Sequence, residues 1–255
     1  MKVSFQLENG FKADSGEFKT EGKLFDRQAT VALSSDFGTL TMGRVGGVGS
    51  GAGFDLVYGY GDAFDGGSGD VLGLLQSARY DNMVTYQTPK FAGLQATVQY
   101  SFNEDSVNDK DREGSSAVNR YASAALTGDF GALQTVLAYE FQNYQSFGTD
   151  VNPSVEDGHT VYLGGNYDCG FAKTFVMGQY FKGIKPVSSP PFLKTLPPNS
   201  TANLPAASRA TASPRTIVPV AGGDLTVAAY FTDFTVEFDD GDGDAKSYAF
   251  GAKYE

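Results

Sequence analysis

Polar and apolar residues alternate along most of this chain. In the first stretch, MKVSFQLE, Met1, Val3, Phe5 and Leu7 fall on one side of an extended backbone and Lys2, Ser4, Gln6 and Glu8 on the other. Successive side chains of a strand point to opposite faces, so a period of two predicts a strand with one apolar and one polar face. The pattern returns in LQATVQYS, where Leu94, Ala96, Val98 and Tyr100 oppose Gln95, Thr97, Gln99 and Ser101. It predicts twelve strands, at about 1–9, 23–34, 38–45, 77–88, 93–103, 118–128, 132–142, 159–168, 171–182, 209–220, 223–238 and 245–255. Strong helical periodicity is absent, and no apolar run approaches the ~20 residues that a membrane-spanning helix needs.

The connections alternate in length. SSDFGT, TPKFAG, TGDFGA, YDCGFA and VAGG are short, whereas 10–22, 46–76, 104–117, 143–158, 183–208 and, more weakly, 239–244 are long. A meander with this alternation has one tight end and one end that carries loops, as outer-membrane barrels do. A soluble sandwich, the other all-β candidate, mixes loop lengths at both ends. Alternation alone does not say which face meets water. Strand number does, because twelve or more strands enclose a lumen too wide for side chains to fill. The Ser, Thr, Gln and Tyr faces are therefore expected inside, along water, and the Leu, Val, Ala and Phe faces outside, against lipid.

Composition narrows the function. The 255 residues carry a net charge of −11, with 32 Gly and 34 Phe plus Tyr but no Trp. Such an acidic chain is a poor ligand for nucleic acid, which needs clustered Lys and Arg. Cys169 and His159 are the sole cysteine and histidine, which excludes an intrachain disulfide, a Cys/His zinc site and most nucleophile–base pairs. MKVSFQLENG lacks a signal-peptide core. Either the protein is not exported, or the sequence begins inside a mature chain.

Four stretches carry a resemblance: KVSFQLENGF (2–11), LFDRQATVALSSDFGTLTMGR (24–44), ARYDNMVTYQTPKFAGLQATVQYSF (78–102) and AKSYAFGAKYE (245–255). They resemble the general porins of Gram-negative outer membranes, in particular the betaproteobacterial and neisserial type. That resemblance implies a sixteen-stranded transmembrane antiparallel β-barrel, about twelve strands of which are represented here, in a homotrimer embedded in outer-membrane lipid. It implies passive passage of ions and small hydrophilic solutes, with no cofactor and no reaction. By the same comparison the chain starts near the third family strand and stops in the fourteenth, as a fragment. Were it complete, closure would require residues 1–8 to pair with 245–255.

The resemblance also points to a site. In these porins the third extracellular loop folds into the barrel and narrows it, and residues 46–76 occupy its place. Between Arg44 and Arg79 there is no Lys or Arg, so Asp55, Asp62, Asp65 and Asp70 are unopposed within GFDLVYGYGDAFDGGSGD. Asp62 and Asp65, near the middle of the loop, are the favoured constriction acids, with Tyr58, Tyr60 and Phe64 as packing anchors. Matching the family's motifs, the basic wall residues would be Lys2, Arg27, Arg44 and Arg79. Opposite charges across a narrow wet gap set up a transverse field that biases ion choice. Alternation places Lys2 with Ser4 and Gln6, and Arg79 with Asp81, Thr85 and Gln87, on the watery face. Arg27 counts instead with Val31 and Leu33, and Arg44 with Leu40 and Met42, so these two need a bulge, at Gly43 for example, or a place at the rim.

Other motifs are weak. GGSGD (66–70) occurs once, and DDGDGDA (239–245) has Ala245 where a calcium loop needs glycine. Both read as acidic loops. The span 183–219 holds eight of ten prolines. Proline at that density argues against a central strand and for a long extracellular loop. Two other readings compete with a channel. An outer-membrane adhesin or enzyme would need a ligand cage or a nucleophile–base pair, and a soluble carbohydrate-binding β-protein would turn its apolar faces inward.

Overall fold

The computed structural model describes residues 1–50, 53–54, 56–57, 79–102, 119–143, 157–184, 207–220, 222–238 and 241–254. Twelve strands run in chain order: β1 (Lys2–Glu8), β2 (Gln28–Ser35), β3 (Gly38–Gly46), β4 (Arg79–Gln87), β5 (Leu94–Ser101), β6 (Arg120–Phe130), β7 (Leu133–Asn143), β8 (Gly158–Asp168), β9 (Lys173–Ile184), β10 (Ala207–Val220), β11 (Gly223–Phe238) and β12 (Gly241–Tyr254). They form one sheet in which each strand pairs antiparallel with its neighbours in sequence. β1 and β12 stand at its two ends, and the strand order does not bring them together.

Burial along the strands is inverted relative to a soluble sheet. In β5, Thr97, Gln99 and Ser101 are buried, while Leu94, Val98 and Tyr100 are exposed. In β8, Thr160 is 2% exposed and Leu163 65%. The outer surface is thus a continuous apolar band through Leu126, Leu137, Val161, Leu163, Val176 and Tyr180. Hydrocarbon is the medium that such a surface fits, because the paired backbone leaves few amides needing water. At the short-turn end, Phe37, Phe91 and Phe171 in the turns and Phe130 at the end of β6 are all exposed.

Twelve strands stand where alternation predicts them, two of them with a shifted start. The second begins at Gln28 rather than near residue 23, because residues 10–27 fold into a stitched connection. Its Phe11 and Phe18 form an antiparallel bridge, and the Asp26 carboxylate accepts from the Gly10 amide (2.6 Å) and the Thr20 hydroxyl (3.0 Å). The last strand begins at Gly241, so the acidic run expected as a loop at 239–244 largely joins a ladder, with Asp242 opposite Glu237 and Asp244 opposite Thr235. The proline-rich span ends in the strand that alternation predicts at 209–220, and the proline argument against a central strand does not hold there. β10 lies between β9 and β11, with Pro214 opposite Val176 and Pro219 opposite Asp224. Proline removes one ladder donor at each position, and the flanking pairs carry the strand through. Residues 185–206, the rest of the expected loop, lie outside the described residues.

Candidate functional site

Charges gather where β1 to β4 meet the long connections. Glu8 closes β1, Arg27 precedes β2, Arg44 lies near the end of β3 and Arg79 opens β4, so antiparallel pairing brings all four to one end of the sheet. Arg27 Nε donates to Glu8 Oε1 at 2.5 Å, and that bond and charge raise the guanidinium pKa further. Arg44 donates from Nε to the Asp26 carbonyl (2.7 Å) and from Nη1 to Asp81 Oδ1 (2.6 Å). Lys23 Nζ takes the other Asp81 oxygen at 2.9 Å. The Arg79 guanidinium, partly buried, senses the charges of Arg27, Glu8, Arg44 and Asp26. Burial pushes the Asp26 carboxyl pKa upward, but the bonds from Gly10 and Thr20 and the nearby Arg44 outweigh it and hold the pKa below its ordinary value.

A bulge makes this cluster. Between the pairs Gly43↔Met83 and Val45↔Tyr80, β3 contributes Arg44 alone and β4 contributes Asp81 and Asn82. Asn82 adopts φ +50° and Gly43 φ +125°. A Cβ on Gly43 would stand 2.0 Å from the Ala29 carbonyl oxygen, so glycine is required for this approach. The extra residue sets Arg44 opposite Asp81 and shifts the simple count used for Arg79. Tyr80 joins the buried face, stacking on Tyr121 at 4.1 Å between centroids, and Arg79 before it is half-buried. Lys2 is not part of this group. It pairs with Ser34 at the short-turn end of β1, six residues from Glu8 and thus ~20 Å away along the strand.

The start of the β3–β4 connection lies on the polar side of the sheet. Val48, Leu56 and Val57 are buried against Ala125, Val136, Ala138, Tyr162 and Met177, which belong to β6 to β9. Phe54 packs against this cluster and also against Val45, Tyr80, Met83 and Tyr121. Polar bonds accompany the packing. Gln99 Nε2 donates to the Gly46 carbonyl at 3.2 Å, the Val48 amide to the Tyr121 hydroxyl at 3.1 Å, and the Gly49 amide to Glu140 Oε1 at 3.0 Å. Tyr121 and Tyr162 in turn donate to Glu140 Oε1 (2.5 Å) and Oε2 (2.8 Å).

Asp55, Asp62, Asp65 and Asp70 lie outside the described residues, as do Tyr58, Tyr60 and Phe64. Three functional residues escaped the sequence reading: Lys23, Asp81 as an ion-pair bridge, and Glu140. Glu140 had a signal, for in VLAYEFQ the polar-parity positions are Val136, Ala138, Glu140 and Gln142. A lone carboxylate amid small apolar residues, well inside a strand, calls for a specific partner.

The family described as Gram-negative porin matches residues 1–255. An outer membrane porin protein of Bordetella pertussis is 36% identical over 188 residues, covering 66% of this chain and 45% of that protein. Outer membrane porin protein 32 of Delftia acidovorans is 29% identical over 184 residues, covering 68% and 48%. The chain thus spans about half the length of the curated relatives it matches. Among solved structures, an anion-selective porin from Comamonas acidovorans superposes with a TM-score of 0.62 at 20% identity, covering 98% of this chain and 68% of that one. OmpT of Vibrio cholerae gives 0.56 at 18% identity, covering 90% and 65%.

Proposed function

Because this chain belongs to the Gram-negative porin family of the outer membrane, we propose that it forms the wall of a water-filled channel through which ions and small hydrophilic solutes diffuse passively. Residues 1–255 are one partial barrel domain. Within it, 46–76 is the constriction loop and 183–208 an extracellular loop. The channel performs no reaction, and a homotrimer is its working form.

One observation carries this reading. The sheet buries its polar side and exposes its apolar side, and Val48, Phe54, Leu56 and Val57 rest on the polar side, where a lumen would be. That arrangement supports a loop that enters the barrel from the end bearing Arg27, Arg44 and Arg79. Asp62 and Asp65 then face this basic group across the water, with Asp55 and Asp70 on the flanks and Lys23 as an added wall cation. Lys2 serves the opposite mouth. Fields of this kind act strongly because a narrow gap between low-dielectric walls screens them poorly.

The test is conductance and reversal potential of the full-length protein in planar bilayers. Arg79→Ala is expected to move the reversal potential toward cations and Asp65→Asn toward anions. Unchanged selectivity in both variants overturns the site. Absence of conductance, or a folded monomer that stays soluble without detergent, overturns the channel.

A further inference from the structure

We propose that Glu140 is a positioning residue, a latch that holds the root of the 46–76 loop against the inner wall and so sets how far the loop stands from β6 to β8. The inference rests on the channel reading for its consequence, but its geometry stands independently. Glu140 is 4% exposed on β7, flanked in register by Ser123 and Thr160. Its two oxygens accept from Tyr121 on one neighbouring strand, from Tyr162 on the other, and from the Gly49 amide of the loop. Tyr121 works twice, since the hydroxyl that donates to Glu140 accepts the Val48 amide. Two successive loop amides are thereby held by one carboxylate and the phenol bound to it.

The loop side is shaped for the same contact. A Cβ on Gly49 would lie 2.6 Å from Glu140 Oε2 and 2.6 Å from the Tyr162 hydroxyl, so a larger residue would have to lift the loop or push these two side-chain ends out of their bonds. Three donors converge on one buried carboxyl group, and hydrogen bonds shielded from bulk water hold firmly. Apolar packing of Val48, Leu56 and Val57 supplies adhesion without direction, whereas the latch fixes height and register.

The experiment uses the full-length protein in outer-membrane lipid, with Cys169→Ser removing the exposed native thiol. Ser50→Cys then places a reporter in the buried root, and a membrane-impermeant thiol reagent reads its accessibility. Glu140→Ala is expected to raise the labelling rate about tenfold or more, as loss of three hydrogen bonds shifts a local opening equilibrium. Glu140→Gln, which keeps an acceptor, is expected to stay within about threefold of the parent. Heat-modified gel mobility should show the barrel intact in both. Where Glu140→Ala fails to assemble, Tyr162→Phe decides, with an expected rise of about threefold or more from one lost bond. Unchanged labelling in the deciding variant overturns the latch. The same variants in bilayers should show larger and noisier single-channel currents. Parent protein that labels as expected but does not conduct would leave the latch standing and overturn the channel.

Discussion

The two polar regions of this sheet handle charge in opposite ways. At the ends of β1 to β4, carboxylates and bases meet directly: Lys23 and Arg44 share Asp81, and Arg27 holds Glu8 with both side chains about 40% exposed. On the inner face of β6 to β8, Glu140 is buried and meets two phenols and a backbone amide. In the first region the Arg27–Glu8 pair is open to solvent, whereas Asp81 with Lys23 and Arg44 is largely enclosed. The second directs its carboxylate toward fixing the chain. At the strand ends carboxylates meet bases, and in the middle of a strand Glu140 meets hydroxyl and amide donors.

Substitutions in the two regions should separate these roles, and the largest effect is expected at the most enclosed ion pair. Asp81→Ala strands two cations beside each other and should cost about 3 kcal/mol, read as a lower unfolding midpoint in detergent. If it costs nothing, the first region is softer than its geometry implies. Gly49→Ala forces a methyl against Glu140 and Tyr162 and should cost about 2 kcal/mol, or displace the loop at unchanged wall stability. Tyr121→Phe removes the hydroxyl that links Val48 to Glu140, for about 1 kcal/mol in the same assay.

Two smaller effects belong to the strand ends. Asp26 has a folded pKa below its ordinary value of 3.8, so its stabilisation is fully present above that value and fades as pH falls through the lower folded one. Protection of residues 10–27 from protease should therefore drop in acid, and Asp26→Asn should flatten that dependence. Arg27→Ala is expected to change stability by about 0.5 kcal/mol or less, since its pair with Glu8 is open to solvent. A reversal-potential shift without a stability shift in that variant would mark the pair as electrostatic in role.

The sheet was legible because a period of two survives strand by strand. MKVSFQLE and LQATVQYS each announce one face, and the same residues are the exposed and buried ones in β5. The misplaced boundaries share a cause. KLFDR reads as a strand until Asp26 binds Gly10 and Thr20, partners sixteen and six residues away that local pattern does not contain. Gly241 to Asp244 read as a turn until pairing with Thr235 to Phe238 is imposed from outside. In the site, Arg27, Arg44 and Arg79 were reached through motif resemblance, and Gly43 marked a possible bulge. Alternation does not show that Asn82 takes an extra place in the ladder, which puts Tyr80 as well as Asp81 among the buried residues. Glu140 was hidden because its importance lies in contacts with β6, β8 and a loop that begins ninety residues earlier.

That separation has a bearing on how the molecule assembles. Every strand pairs with the strand next to it in sequence, so the wall can grow hairpin by hairpin with short closures and low contact order. The loop root is the exception. Val48 must find Tyr121 across 73 residues and Gly49 must find Glu140 across 91, with Tyr162 and Met177 further along still. Its seat does not exist until β6 to β9 stand side by side, which makes seating of the loop a late step in folding. A chain caught before that step would have a finished wall and an unseated loop root.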